Sequence, residues 1–190
     1  MLVRRPREPM IDSFFLAEPE TRYRKAALAM VQDFHRFGED RYPRLRDLGA
    51  LAFGIYVREL KDAARGIGLR PGWVPFTTLW MITPEASLVY GTVQLRHWLT
   101  ASLEKEGGHI GYAITPSQRG KGYGTKQLAL ALDEVHKRRA ALALDRVLIT
   151  CNSDNIASAR VIQKNGGVFE DEMISDFSGK PVSRYWVDLM

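Results

Sequence analysis

The sequence predicts a mixed α/β (α+β) domain around one twisted, mostly antiparallel sheet with helices on both faces. Three observations carry this. Two runs rich in β-branched and aromatic residues, 74–82 and 87–97, follow each other across a Thr83-Pro84 turn, as antiparallel partners do. Apolar residues recur at helical spacing over 20–35, 51–60, 125–142 and 156–164. A third apolar strand, 109–115, runs through a glycine-punctuated basic turn into the longest of these helices.

Taken in order, residues 1–13 hold an opening strand at best, and Met10 to Leu16 is a short apolar patch suited to an edge strand or a docking segment. Pro19, with Glu18 and Glu20 beside it, offers a helix start that favours negative charge. Tyr23, Ala27, Met30, Val31 and Phe34 then line one helical face. Segment 36–50 is a polar connection, and 51–60 is a second helix fading towards Gly66 and Gly68. Two helices before any convincing strand place a helical cap ahead of the sheet. After the strand pair, 99–105 reads as a helical turn or loop, and Gly107-Gly108 leads into strand 109–115. The helix from Thr125 presents Leu128, Leu132 and Val135 on one face, and Arg146 to Cys151 is a short apolar strand. Asp154 or Asn155 can cap the helix 156–164, which ends at Asn165-Gly166-Gly167. Strands 168–176 and 182–189, joined through Ser178-Gly179-Lys180-Pro181, close the chain.

At 190 residues the chain suits one well-filled core, so 1–190 is a single domain, with a helical part over 1–70 and a sheet core over 74–189. The formal charge of +5 is spread among 22 acids, and the only compact basic cluster is the N-terminal RRPR, so the charge suits a small anionic ligand better than nucleic acid. One cysteine excludes an internal disulfide and a multi-cysteine zinc site. Four histidines without metal-binding spacing leave no metal site expected. No window approaches 18 consecutive apolar residues, so no membrane partner is expected and the location read from the sequence is cytoplasmic.

The glycine turn carries the chemistry. Gly120, Gly122 and Gly124 have no Cβ, so the backbone can turn tightly and an oxyanion can approach the amides at a positive helix end. Arg119 and Lys121 add charge at the same place. A plain turn with helix-capping glycines is the alternative. The Gly-Lys pair is not followed by Ser or Thr, which excludes a P-loop. The antiparallel pair before it excludes a dinucleotide fingerprint.

Arg119-Gly120-Lys121-Gly122-Tyr123-Gly124 resembles the acetyl-CoA signature of the GNAT superfamily of N-acetyltransferases, Gln/Arg-x-x-Gly-x-Gly/Ala. The later stretch Asn155-Ile156-Ala157-Ser158-Ala159 through Lys164-Asn165-Gly166 is similar to that superfamily's second helix. The resemblance covers 74–189. It implies acetyl-CoA as acyl-donor substrate and direct transfer to the amine of a small molecule. It also implies pyrophosphate on the amides of 120–125, which takes in Tyr123 and Thr125, and a pantetheine arm along Ile114 and Pro116. That arm would lie between splayed central strands 109–115 and 146–151. Asn155 matches a position that contacts the pantetheine region, and it can cap the helix as well. Pairing into a homodimer through sheets or final strands is compatible with the resemblance.

The catalytic groups are less legible. Many relatives place a tyrosine general acid seven residues after the helix Asn, and here that position is Ile162. His109 has a suitable pKa for a base, although a core histidine bonded to backbone is the common alternative. Tyr112, on the face opposite His109, could line the acyl end or be core. His97, with Arg96, is a candidate for the pocket rim, where Arg96 could grip a carboxylate of an amino-acid-like acceptor or simply be solvated. Cys151 reads as buried, which disfavours an acyl-enzyme route. The alternatives to a small-molecule transferase are a non-catalytic CoA-binding or regulatory domain and a protein N-acetyltransferase.

Overall fold

A computed structural model describes residues 9–46, 48–176 and 178–189; the RRPR cluster lies outside them. The strands are β1 (Phe15–Ala17), β2 (Phe76–Ile82), β3 (Gly91–Arg96), β4 (Ile110–Ile114), β5 (Arg146–Asn152), β6 (Val168–Ile174) and β7 (Pro181–Asp188). The helices are α1 (Arg24–Arg36), α2 (Ala50–Ala64), α3 (Ala101–Lys105), α4 (Tyr123–Leu142) and α5 (Ile156–Lys164). The strands form two antiparallel ladders, β1-β2-β3-β4 and β5-β7-β6.

Alternation along the strands sorts side chains onto two faces. On one face Trp80, Ile82 and Ala113 pack under α1 and α2 with Met30, Phe34, Phe53 and Val57. On the other, Leu79, Val93, Leu95 and Ile110 pack with Leu128, Ala131 and Val135 of α4 and with Ile162 of α5. The expected helices on both faces are therefore present. Of the two readings offered for 10–16, the edge strand is the one observed, as β1, which precedes the two helices and pairs Leu16 with Met81. The partner strand expected from Ser87 begins at Gly91, because Tyr90 donates to Met81 O at 2.8 Å before the regular register is established.

Local signals fix the helix ends. α4 starts at Tyr123, two residues ahead of the expected Thr125, because Gly122 adopts φ 79° and turns the chain directly into the helix. Asn155 Oδ1 accepts from Ser158 N–H at 3.1 Å, capping α5 at the expected residue. At its far end Gly167 N–H donates to Ile162 O at 3.0 Å.

Candidate active site

The two ladders meet at β4 and β5, and among the described residues no ladder joins those strands. A double contact holds them at one point. His109 N–H donates to Leu148 O at 2.7 Å, and Leu148 N–H donates to His109 Nδ1 at 2.9 Å. Gly108, at φ 57°, is needed there, since a Cβ would lie 2.4 Å from Leu148 O. Beyond this point β4 faces a seam. Arg96 N–H donates to His109 O, so the register makes 94↔111 and 92↔113 the hydrogen-bonded pairs of the β3–β4 ladder. The backbone groups of Ile110, Tyr112 and Ile114 consequently turn away from β3, towards β5. An extended chain could pair with them as an added strand.

The glycine turn lies past the end of β4. Gly120 and Gly122 both take φ 79°, and the amides of Gly120, Gly122 and Gly124 donate to no acceptor among the described residues. They converge at the positive end of the 20-residue α4, an arrangement suited to a pyrophosphate. A Cβ on Gly124 would meet Val161 at 3.3 Å and Ile114 at 3.7 Å, so this glycine also lets α4 pack closely against α5 and β4. Thr125 N–H is already bonded to Gly122 O at 3.1 Å. The Tyr123 ring is core, 4.7 Å from that of Phe14, which leaves its backbone as the part facing the turn. Pro116 is buried in a short 3-10 turn, and Ile114 O accepts from Arg119 Nε at 3.2 Å.

Arg119 is tied elsewhere. Its guanidinium makes a bidentate pair with Glu39, at 2.6 and 2.9 Å, and this holds the Glu39 carboxyl below its usual range. Lys121 Nζ reaches Gln118 Oε1 at 3.3 Å. Asp33 of α1 accepts from Ser117 N–H at 2.8 Å. These bonds fasten the helical cap to the loop that carries the glycines.

The histidines and Tyr112 lie in three different settings. His109 is buried, and burial, then the Arg96 charge, push its pKa down to about 4. Its Nδ1 is committed as an acceptor, so the proton of the neutral ring sits on Nε2. His97 Nε2 bonds to Thr77 Oγ1 at 2.9 Å and lines neither cavity described below; burial, then Arg138, lower its pKa. Tyr112 reaches across the seam to α5, its hydroxyl 2.8 Å from Ser158 Oγ. Burial is the main cause that pushes its pKa up to about 12, so the phenol keeps its proton at neutral pH. Cys151 stands beside the same serine; burial raises its thiol pKa, and the Ser158 hydrogen bond opposes that rise. Ile162 is fully buried in the core, so its position contributes nothing to the seam. Ser158 was visible in the sequence only as part of a helix motif. Its hydroxyl becomes informative once Tyr112, 46 residues away, is placed against it.

A cavity of about 390 Å³ opens on the α1–α2 face of the sheet and reaches Gly111 and Tyr112 of β4. Arg41, Tyr42 and Tyr56 from the cap and Thr78, Gln94 and Arg96 from the sheet line it. A second cavity of about 270 Å³, bordered by Trp73 and Phe76, shares Gln94 and Arg96 with the first. Arg96 thus stands where the two meet. Among the described residues no group of His, Cys, Asp and Glu is arranged to hold a metal. No helix among them is long and apolar enough to cross a membrane.

A seam that can take an extended arm, an anion cradle beyond one end and a polar cavity at its side define an acyltransferase using a CoA thioester. The family comparison agrees: the acetyltransferase (GNAT) domain matches residues 4–168, and the chain belongs to the GNAT acetyltransferase family, whose acyl donor is acetyl-CoA. No curated protein is a significant match by sequence. Among solved structures, a ribosomal-protein-S5-alanine acetyltransferase from Vibrio fischeri is similar with TM-score 0.66 and 14% identity, covering 93% of each chain. The microcin C7 self-immunity acetyltransferase MccE, in complex with acetyl-CoA and AMP, is similar with TM-score 0.62 and 14% identity, again over 93% of each chain. A GNAT-family acetyltransferase from Bacillus anthracis shares 16% identity with TM-score 0.57 over 93% of this chain and 95% of its own.

Proposed function

We propose that this chain transfers the acetyl group of acetyl-CoA directly to the amine of a small molecule in the cytoplasm. The observation that carries the reading is the position of the polar cavity, which reaches β4 at Gly111 and Tyr112, where the strand borders the seam. A donor laid along the seam, with its pyrophosphate on Gly120, Gly122 and Gly124, brings its thioester towards the same residues from the other side. Asn155 caps α5 and stands at the border of the arm.

In the transfer, the neutral amine attacks the thioester carbonyl, the carbon–sulfur bond breaks, and the proton lost by nitrogen ends on the CoA sulfur. Tyr112 and Ser158 supply hydroxyl hydrogens beside the seam, in addition to the backbone N–H groups of β4. Their hydroxyls can donate to the developing thiolate, the task that Ile162 cannot perform. His109 acts as a positioning residue: it pins β4 to β5 and so keeps the seam open beyond it. Substrate positioning accounts for the remainder of the rate.

The cavity volume of about 390 Å³ suits a small amine, and that size is what favours such an acceptor over a protein N-terminus. Calorimetry with CoA and thiol release across an amine panel test the reading. Micromolar CoA binding with turnover of at least one small amine is the expected result. Binding without any turnover would leave a CoA-binding domain, and turnover restricted to peptides would make this a protein N-acetyltransferase.

A further inference from the structure

The acceptor cavity has an unusual charge balance. Its lining contains two arginines, Arg41 and Arg96, and no Asp or Glu. The acids near the cap are engaged elsewhere: Glu39 with Arg119, Asp40 with Arg46 at 2.6 Å, and Glu59 with Arg44 at 2.6 Å. Among the described residues neither Arg41 nor Arg96 forms an ion pair, although the Arg41 charge adds a small part to the lowering of the Glu39 pKa. Arg96 spends Nη1 on Gly107 O at 2.8 Å and Gly108 O at 3.0 Å. That fixes the guanidinium over Gly111 and leaves Nε and Nη2 without an acceptor among the described residues. Burial lowers its pKa, the mark of a cation held away from water.

A second observation is independent of charge. Thr78 lines this cavity opposite Gln94 in the strand register, and its Oγ1 is buried without a hydrogen-bond partner among the described residues. A buried hydroxyl left unbonded costs on the order of 1–3 kcal/mol, a cost that rotation of the Thr78 side chain onto a polar group in the cavity would relieve. A half-buried guanidinium with open donors, a second arginine at the rim and an orphaned hydroxyl are together a receptor for an oxyanion.

Resting on the transferase reading, we infer that the acceptor is a small amine that also bears a carboxylate or phosphate, its oxyanion held by Arg96 and Arg41 with Thr78 and Gln94 beside them. The fixed guanidinium places the anion over Gly111 and so directs the amine along β4 towards the thioester. The same two cations disfavour the ammonium form of the acceptor, which supplies neutral amine with no carboxylate base in the cavity. An acceptor without the oxyanion leaves the guanidinium donors unpaired, and a polycationic amine meets repulsion as well.

The test uses matched acceptors with the intact enzyme and acetyl-CoA, read by thiol release. The sets are 4-aminobutyrate, 4-aminobutyramide and 1,4-diaminobutane; phosphoethanolamine and ethanolamine; phenylalanine and its amide; and an acidic tetrapeptide. The oxyanion-bearing member of at least one set should lead its neutral partner by tenfold or more in kcat/KM. Arg41→Glu should erase or invert that lead while the Kd for CoA is unchanged. Arg41 makes no hydrogen bond among the described residues, so it remains informative if Arg96→Gln disturbs the 107–108 turn. Equal or better use of the neutral or dicationic members, a preference indifferent to Arg41→Glu, or use of the peptide alone would overturn the proposal. If CoA binds and no amine turns over, the transferase reading falls separately. Calorimetry of the same panel on the CoA-bound protein then decides the acceptor class. Saturable oxyanion binding lost in Arg41→Glu upholds it, and its absence overturns it.

Discussion

His109 Nδ1 accepts the Leu148 amide at 2.9 Å while His109 N–H donates to Leu148 O at 2.7 Å, so one residue makes two bonds across the junction of β4 and β5. The ring must be neutral to accept. Its pKa falls from 6.5 to about 4 in the fold, which means the folded state resists the proton that the unfolded chain takes up below pH 6.5. The stability tied to this neutral ring is fully present above pH 6.5 and is lost as pH falls towards 4. Denaturant melts should show declining stability over that window, and His109→Gln should flatten the part due to this ring. The substitution should also cost about 1–3 kcal/mol at pH 7.5, the range for leaving a buried amide poorly satisfied.

Tyr112→Phe should lower kcat by about 10²-fold with little change in the Kd for CoA, as expected for losing one donor to a developing anion. Ser158→Ala should act in the same direction. Because the two hydroxyls are bonded at 2.8 Å, the double variant should lose less than the product of the single effects. Stopped turnover under saturating acetyl-CoA measures this, and full additivity would separate the two hydroxyls.

At the glycine turn, Gly122→Val forces a β-branched residue to φ 79°, at a cost of about 1–2 kcal/mol, and crowds the anion cradle. CoA affinity should fall more than tenfold by calorimetry. Gly120→Ala meets open space, so its penalty is the positive φ alone and its affinity loss should be smaller.

Glu39→Ala removes the partner of an exposed bidentate pair, and stability should drop by no more than about 1 kcal/mol. Arg119→Ala should weaken CoA binding severalfold, whereas Glu39→Ala, which frees the guanidinium, should not. Equal weakening by both variants in the calorimeter would make Arg119 a tie between cap and loop and nothing more.

Much of the architecture was legible in the sequence because its signals are local. Apolar periodicity and the Asn155 cap gave α5 its observed limits, 156–164. The glycine turn, with its positive φ and open amides, reads directly from residue type. The limits of β3 did not, since where a strand begins to pair depends on its neighbour: Tyr90 still donates to Met81 outside the regular ladder. The Arg119 reading changed for the same reason, because Glu39 lies 80 residues away along the chain and next to it in space.

By itself, then, the sequence determined the donor side of this protein: one α+β domain, a seam strand leading into a glycine turn, and a positive helix end suited to an anion. These follow from steric rules acting within a few residues. Tertiary structure decided which side chains line the cavity and which hydroxyls meet beside the seam. Arg41, Tyr56, Thr78 and Arg96 line one cavity only once α1 and α2 cover the sheet, and Tyr112 finds Ser158 only once α5 packs against β4. Which side chains converge there depends on strand register and helix packing, and those are set by burial of the whole core.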